Sequence, residues 1–211
     1  MAVERPLNSS PVEEQSERRT TPAHGGWLLG DPESPVNVLE YGDFECPFSA
    51  ATRPILEELV AEYPNIVSVA FRHFPITTRH PHAFTAAEAA EIAGAQGRFW
   101  PMHDMLFTHQ RTLEPEPLRE YAEALGIQGE WFRDALLAHS YAPEVQRDFQ
   151  RGIRDRVKGT PTLFVNGERY VGARTLEMLR EAVWAAYGAV QEGPRAEGPS
   201  ALGEQFFRSR P

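Results

Sequence analysis

The sequence predicts an α/β fold in which a helical insertion separates the two halves of one β-sheet. Two strand-like segments lie in the N-terminal third of the chain, and a strand-like hairpin follows a long helical block. The order of the segments is strand, helix, strand, helical block, hairpin and helix. A right-handed crossover joins the first two strands as parallel neighbours, so an α/β sheet with a helical insertion is the natural assembly.

The first strand and the first helix flank Cys46, the only cysteine of the chain. The strand over Val36–Tyr41 has apolar side chains on both faces, which is typical of an inner strand of an α/β sheet. The helix over Phe48–Tyr63 has an apolar stripe along one face. β-Branched and aromatic residues predict a second strand over Asn65–Phe74, which Pro75 ends.

From Pro81 to about Val157 the apolar residues follow a helical period, and Gly126 suits the end of one helix. The predicted helices cover His82–Gln96, Phe99–His109, Glu116–Leu125, Glu130–His139 and Pro143–Val157.

Strand-like sequence returns after the helical block. Thr162–Val165 leads into Asn166-Gly167, the strongest short signal for a hairpin turn, and the return strand is predicted over Arg169–Val171. A last amphipathic helix is predicted over Thr175–Tyr187.

The domain organisation follows from length and composition. A chain of 211 residues can bury the core of one domain, which we expect over residues 27–190, with the helical insertion at about 81–157. Residues 1–26 and 191–211 lack hydrophobic periodicity and are rich in proline and charged residues. We expect a disordered N-terminal tail and a flexible C-terminal tail.

Charge and hydropathy exclude two classes of partner. A formal net charge of −9 and a pI near 5.3 argue against nucleic acid, which attracts basic surfaces. No stretch approaches the roughly 18 apolar residues of a membrane span, so no membrane partner is expected. The N-terminus has no apolar core of a secretory signal, which predicts a cytoplasmic protein.

The position of Cys46 predicts a reactive thiol. It lies where a strand passes into a helix, with Pro47 at about the first helical position. Free backbone N–H groups and the positive end of the helix dipole favour a thiolate there. Asp43 and Glu45 act in the opposite direction, because nearby carboxylates disfavour a second negative charge. The alternative is a small buried apolar residue without chemistry.

The chain resembles the DsbA-like thioredoxin-fold family. The resemblance rests on Tyr41-Gly42-Asp43-Phe44-Glu45-Cys46-Pro47-Phe48, on the helical block and on Gly159-Thr160-Pro161-Thr162-Leu163-Phe164-Val165-Asn166-Gly167. Phe71-Arg72-His73-Phe74-Pro75 and Gln96-Gly97-Arg98-Phe99-Trp100 are also similar to that family, and the resemblance covers roughly residues 28–187.

The resemblance implies a thioredoxin fold with the helical insertion between the two sheet halves. It also implies that Cys46 attacks disulfides and that Pro161 is a cis-proline facing it. Thr160, beside Pro161, would pair with an extended substrate segment, and Pro47 with Phe48 would border the same substrate. A trans-proline that opens a strand is the alternative for Pro161.

One position departs from the family pattern. The oxidoreductases of this family usually have a second cysteine three positions after the first, where this chain has Ser49. Cys46 alone cannot store a disulfide within its own site, but it can form a mixed disulfide that an external thiol releases. Ser49 is expected to donate a hydrogen bond to the thiolate; a solvated serine in a first turn is its alternative.

Three functional hypotheses follow. The first is a monothiol thiol–disulfide oxidoreductase whose catalytic residues are Cys46 and Ser49, acting on protein thiols, protein disulfides or glutathione, with no cofactor beyond glutathione as a candidate co-substrate. The second is a glutathione-dependent transferase or isomerase. The third is a redox-inactive module that binds peptides.

The histidines predict no metal site. His80 and His82 are close in sequence, and His73, His103 and His109 lie nearby, but their spacing matches no complete ligand set. The single cysteine excludes a zinc site built from several cysteines.

Overall fold

The structure, a computed structural model, describes residues 26–192. The predicted tails therefore lie almost wholly outside the described residues. Within residues 26–192 the strands are β1 (Trp27–Leu29), β2 (Val36–Gly42), β3 (Val67–His73), β4 (Thr162–Val165) and β5 (Glu168–Arg169). The helices of the same region are α1 (Pro47–Glu62), α2 (Ala83–Ala95), α3 (Phe99–Thr108), α4 (Pro115–Ala124), α5 (Gly129–Leu137), α6 (Ala142–Arg154) and α7 (Leu176–Glu192).

The strands form one mixed sheet in the order β1-β3-β2-β4-β5. β2 and β3 are parallel, and α1 connects them, as predicted for the first crossover. The other pairings are antiparallel. Helices α2 to α6 lie between β3 and β4 in sequence, so the predicted α/β fold with a helical insertion is confirmed.

Both faces of β2 are covered, as its apolar pattern predicts. Val36 and Val38 are fully buried in a core that includes residues of α1 and α7. Leu39 and Tyr41 face the other side, in a cluster with Phe149 of α6. The central position of β2 fixes the strand end that leads into Cys46.

The helical insertion has its own core, which joins the sheet through aromatic residues. The buried face of α2 consists mostly of alanine, and small side chains allow α3, α5 and α6 to pack closely against it. Phe44, just before the cysteine, stacks on Phe71 of β3 with ring centroids 5.3 Å apart. The loop before Cys46 is thereby anchored between the sheet and the helical layer.

Three features differ from the sequence-based prediction. Trp27–Leu29 forms a strand antiparallel to β3, although three residues show no alternation. The return strand of the hairpin is Glu168–Arg169 rather than Arg169–Val171, because Val171 is 88% exposed and lies beyond the pairing with β4. The last helix continues to Glu192, past the predicted end of the domain.

The hairpin turn has the conformation that its sequence predicts. Asn166 and Gly167 both have positive φ, at 47° and 85°, as a two-residue hairpin turn requires.

Within residues 26–192 no helix combines the length and the hydropathy needed to cross a membrane.

Candidate functional site

Cys46 lies at the N-terminus of α1 and contacts the loop before β4. It occupies the N-cap position of α1 without a side-chain capping hydrogen bond, and Pro47 follows as the first helical residue. The residue is 3% exposed, and its Sγ donates a hydrogen bond to the carbonyl oxygen of Thr160 at 3.3 Å. Pairing of β2 with β4, which aligns Tyr41 with Thr162, brings these two distant segments together.

The Thr160–Pro161 segment forms the second wall of the site. The peptide bond between these residues is cis. Pro161 is buried and Thr160 is half-buried, and the Thr160 hydroxyl has no hydrogen-bond partner among the described residues. The Thr162 hydroxyl donates to the carbonyl oxygen of Gly159 at 2.7 Å, which closes the turn that presents this segment.

Pro47 and Phe48 form the exposed edge of the site. Both are exposed, and the Phe48 side chain is 64% exposed although it is large and apolar. An exposed aromatic ring two residues from the thiol offers an apolar surface to an approaching partner.

Among the described residues, Ser49 does not form the hydrogen bond to the sulfur that the sequence predicts. Its side chain is fully buried, and its Oγ accepts a hydrogen bond from the backbone N–H of Asp43 at 3.4 Å. The expected hydrogen bond from Ser49 to Cys46 Sγ is not among the hydrogen bonds of residues 26–192, where Sγ bonds to Thr160 instead. The serine therefore supports the loop before the cysteine rather than the thiol itself.

Asp43 organises that loop through both carboxylate oxygens. Its Oδ1 accepts from the N–H of Glu45 at 2.9 Å, and its Oδ2 accepts from the N–H of Ile76 at 2.8 Å. The His80 Nδ1 lies 2.8 Å from the same Oδ2. The Asp43 carbonyl accepts from the N–H of Cys46 at 3.0 Å, so one residue fixes the turn on which the cysteine stands.

Glu45 and Gln110 complete the hydrogen bonds around the turn. The Glu45 Oε2 accepts from the backbone N–H of His82 at 2.8 Å. The Gln110 Nε2, just beyond α3, donates to the carbonyl oxygens of Phe44 at 2.7 Å and Cys46 at 3.0 Å. Both carboxylates that the sequence placed near the sulfur are thus engaged with backbone N–H groups.

Comparison with known proteins identifies the family. A family model described as Thioredoxin matches residues 23–185. The chain belongs to the DsbA-like thioredoxin-fold family. The predicted fold class and the predicted resemblance are therefore confirmed.

Solved structures with this fold superpose on most of the chain. BdbD from Bacillus subtilis in its oxidised form is 21% identical, with a TM-score of 0.70, over 77% of this chain and 92% of that chain. A thioredoxin-like oxidoreductase from Silicibacter pomeroyi DSS-3 is 25% identical, with a TM-score of 0.68, over the same shares of the two chains, 77% and 92%.

Curated relatives are longer than this chain. The Na(+)/H(+) antiporter NhaA 1 of Salinispora arenicola is 45% identical over 168 residues, which are 80% of this chain and 26% of that protein. The Na(+)/H(+) antiporter NhaA 3 of Salinispora tropica is 42% identical over 167 residues, which are 79% of this chain and 26% of that protein. The chain thus spans about a quarter of the relatives that it matches.

This member of the DsbA-like family contains a buried carboxyl group that the sequence analysis missed. Glu40 of β2 is 2% exposed, and strand alternation places it on the same side as Val36 and Val38. Burial raises its pKa to about 8, while the charge of Arg174 lowers it, and its Oε1 has no partner among the described residues. A glutamate inside a strand that is apolar on both faces was the available signal.

One group of side chains within residues 26–192 has the composition of a metal site. Ligand atoms of His73, Glu91 and Asp148 lie within 4.8 Å of one another. They are already hydrogen-bonded: His73 Nε2 lies 2.8 Å from Glu91 Oε1, which also accepts from Trp27 Nε1 at 2.9 Å. Asp148 Oδ2 accepts the backbone N–H of His73 at 3.2 Å, and burial raises the pKa of the Asp148 carboxyl. The network joins β1, β3, α2 and α6.

Proposed function

We propose that this protein is a monothiol thiol–disulfide exchange protein that reacts through Cys46. The observation that supports the proposal is the position of the cysteine. Its sulfur lies at the N-terminus of α1, 3.3 Å from the backbone oxygen of Thr160, in a fold shared with a thioredoxin-like oxidoreductase. Ser49 occupies the position of the usual second cysteine, so a cycle based on one thiol is the chemistry that remains.

The cycle has two exchange steps. In the first, the Cys46 thiolate attacks one sulfur of a partner disulfide, a bond forms between the two sulfurs, and the other partner sulfur leaves as a thiolate. In the second, an external thiolate attacks the mixed disulfide at the partner sulfur and Cys46 leaves as a thiolate. Each step exchanges one S–S bond for another, so the electrons balance without a further oxidant.

The substrate surface in this proposal consists of the segments on both sides of the sulfur. Thr160 would offer its backbone to an extended partner segment, with Pro161 behind it. The exposed ring of Phe48 and the adjacent Pro47 would cover the other side of the partner. The partner also has to displace the hydrogen bond between Cys46 Sγ and the Thr160 oxygen.

The need for an external thiol favours a compartment in which thiols are kept reduced. Glutathione is the candidate co-substrate, because it supplies a free thiol in the cytoplasm, where thiols are kept reduced. For that reason we propose that the protein acts in the cytoplasm. The antiporter name belongs to the longer relatives, of which this chain matches about a quarter.

The test is the reaction of the reduced protein with oxidised glutathione, followed by intact-mass spectrometry. We expect one glutathionyl adduct, which added dithiothreitol removes, and no adduct in the Cys46→Ser variant. In Ser49→Cys the second thiol should displace glutathione and leave an internal disulfide. A wild-type protein that stays unmodified under conditions that modify a model thiol would refute the proposal.

A redox-inactive module that binds peptides is the second candidate, and the 3% exposure of Cys46 is the observation in its favour. The variant Cys46→Ala separates the candidates. Peptide capture that depends on the cysteine supports exchange, whereas unchanged capture supports the binding module. Saturable binding of glutathione that survives the same substitution would instead support the glutathione-dependent transferase or isomerase.

A further inference from the structure

The loop between β3 and α2 runs beside the segment 42–46, which ends at Cys46. We name this loop, residues 74–82, the bracing loop. Its backbone donates three hydrogen bonds of 2.8 Å to that segment: from Phe74 N–H to the Gly42 carbonyl, from Ile76 N–H to the Asp43 carboxylate and from His82 N–H to the Glu45 carboxylate. A side chain of the bracing loop, that of His80, adds a fourth bond.

The His80 imidazole reaches a buried carboxylate. Its Nδ1 lies 2.8 Å from Asp43 Oδ2, and because a carboxylate oxygen only accepts hydrogen bonds, Nδ1 carries the hydrogen of this bond. The Asp43 side chain is fully buried, whereas that of His80 is 19% exposed. A buried carboxylate is costly unless donors surround it, and His80 is the side chain by which the bracing loop supplies one.

The backbone of the bracing loop fixes where the imidazole lies. His80 N–H donates to the Ile76 carbonyl at 3.0 Å, which closes a turn within the loop. Both ends of this turn therefore donate to one atom, since the Ile76 N–H and the His80 imidazole share Asp43 Oδ2. The His80 carbonyl accepts from the N–H of Ala83, the first residue of α2, at 3.3 Å, so the start of that helix holds the turn in place.

Asp43 connects His80 to the nucleophile through short backbone contacts. Its Oδ1 accepts from the N–H of Glu45 at 2.9 Å, and its carbonyl oxygen accepts from the N–H of Cys46 at 3.0 Å. A shift of Asp43 would therefore move the N-cap residue of α1, whose Sγ bonds to the carbonyl oxygen of Thr160. A hydrogen-bonded path thus leads from His80 through Asp43 to Cys46.

We propose that His80 is a positioning residue for thiol–disulfide exchange and that it acts through Asp43. The inference rests on the proposed exchange function. Exchange requires the Cys46 sulfur to approach the partner disulfide in a defined geometry, so a small displacement of the cysteine slows it strongly. Alkylation by a small reagent has no partner segment to align and depends less on that geometry.

The test measures two rates for each variant. One is the rate of mixed-disulfide formation with oxidised glutathione, followed by intact-mass spectrometry, and the other is the rate of Cys46 alkylation by iodoacetamide. For His80→Ala we expect the ratio of exchange to alkylation to fall about tenfold, within the roughly hundredfold loss that a displacement of about 1 Å can cause.

Two amide substitutions test whether the hydrogen bond from Nδ1 is responsible. The asparagine amide nitrogen replaces Nδ1 of histidine, whereas the glutamine amide nitrogen replaces Nε2. We expect His80→Asn to recover the exchange ratio to within about twofold of wild type, because it retains a donor to Asp43, and His80→Gln to resemble His80→Ala. This pair also decides the question if His80→Ala does not fold.

The matched control breaks a second histidine–carboxylate bond of the helical insertion. His139 Nδ1 lies 2.9 Å from Glu88 Oε2, and the Glu88 side chain is also fully buried. Neither residue hydrogen-bonds to the segment 42–46 in the described part of the chain. His139→Ala and His80→Ala should both lower the free energy of unfolding in urea, but only His80→Ala should lower the exchange ratio.

A double-mutant cycle tests the path through Asp43. Asp43→Asn alone should slow exchange, because an amide in place of the carboxylate cannot accept all of its hydrogen bonds. If His80 acts through Asp43, His80→Ala should have little further effect in the Asp43→Asn background. The same fold-change in both backgrounds would overturn the proposed path.

The outcomes separate this inference from the proposed function. A wild-type protein that does not react with oxidised glutathione refutes exchange itself. With wild-type exchange intact, an unchanged ratio in His80→Ala, an equal loss in His139→Ala, or equal ratios in His80→Asn and His80→Gln would each overturn the role of His80 and leave exchange by Cys46 standing.

Discussion

Replacement of Glu40 by glutamine should change how the stability of the protein depends on pH. Burial raises the Glu40 pKa from 4.5 to about 8 in the folded protein. The unfolded chain therefore releases this proton near pH 4.5, and the folded protein retains it. The contribution of neutral Glu40 to the free energy of unfolding is therefore fully present below pH 4.5 and is lost as the pH rises through about 8.

The size of the effect follows from the same two values. The interval between 4.5 and about 8, at about 1.4 kcal/mol per pH unit, sets a ceiling of about 5 kcal/mol on the stability lost. About 3 kcal/mol of this has been lost at pH 7. Glutamine has nearly the same shape and does not ionise, so Glu40→Gln removes this pH dependence while leaving a polar group in the same place.

Urea denaturation at several pH values between 5 and 8.5 measures the effect. The free energy of unfolding of Glu40→Gln, relative to that of the wild type, should increase by several kcal/mol as the pH rises across this range. Glu62→Gln is the control, since Glu62 is bonded to Arg180 at the surface and its pKa is lowered. If the wild-type and Glu40→Gln curves run parallel from pH 5 to 8.5, Glu40 does not titrate in this range and the reasoning fails.

Three further predictions concern the helical layer. Phe132→Ala should lower the free energy of unfolding by about 3–5 kcal/mol, because removal of a fully buried ring leaves a cavity. Leu137→Ala is the control: its side chain is 68% exposed, so the same urea titration should show a change of less than about 0.5 kcal/mol. Asp104→Asn should lower the pKa of Glu57, which burial and then the Asp104 charge raise to about 7, and an unchanged carboxyl titration by NMR would contradict this. Burial lowers the pKa of His103 from 6.5, so stability should be lost as the pH falls below 6.5, and His103→Gln should reduce that loss in denaturation curves between pH 7 and 5.

Local patterns were sufficient for most of the fold. Apolar side chains on both faces predicted β2, and the proline after the cysteine predicted the start of α1, because both signals act within a few residues. Asn166-Gly167 likewise specified its own turn. β1 was missed because three residues are too few to show a period. It is a strand because it pairs with β3, which the local sequence does not reveal.

The site was less predictable because its contacts are long-range. The sequence placed Asp43 beside Cys46 but could not show where the carboxylate points. Its partners Ile76 and His80 lie more than thirty residues away. The meeting of Cys46 with Thr160 followed only from the family resemblance, since 114 residues separate the two.

The two hydrogen bonds from Gln110 give the helical layer an influence over the thiol. One side-chain amide, just beyond α3, binds the carbonyl oxygens on both sides of Glu45. Local unfolding of that loop would release the Cys46 carbonyl and loosen the first turn of α1 without opening the sheet. Chemical labelling of the cysteine and hydrogen exchange in the α3–α4 loop would then report the same opening event. The rate at which Cys46 reacts would depend on fluctuations in a loop that does not contain the cysteine.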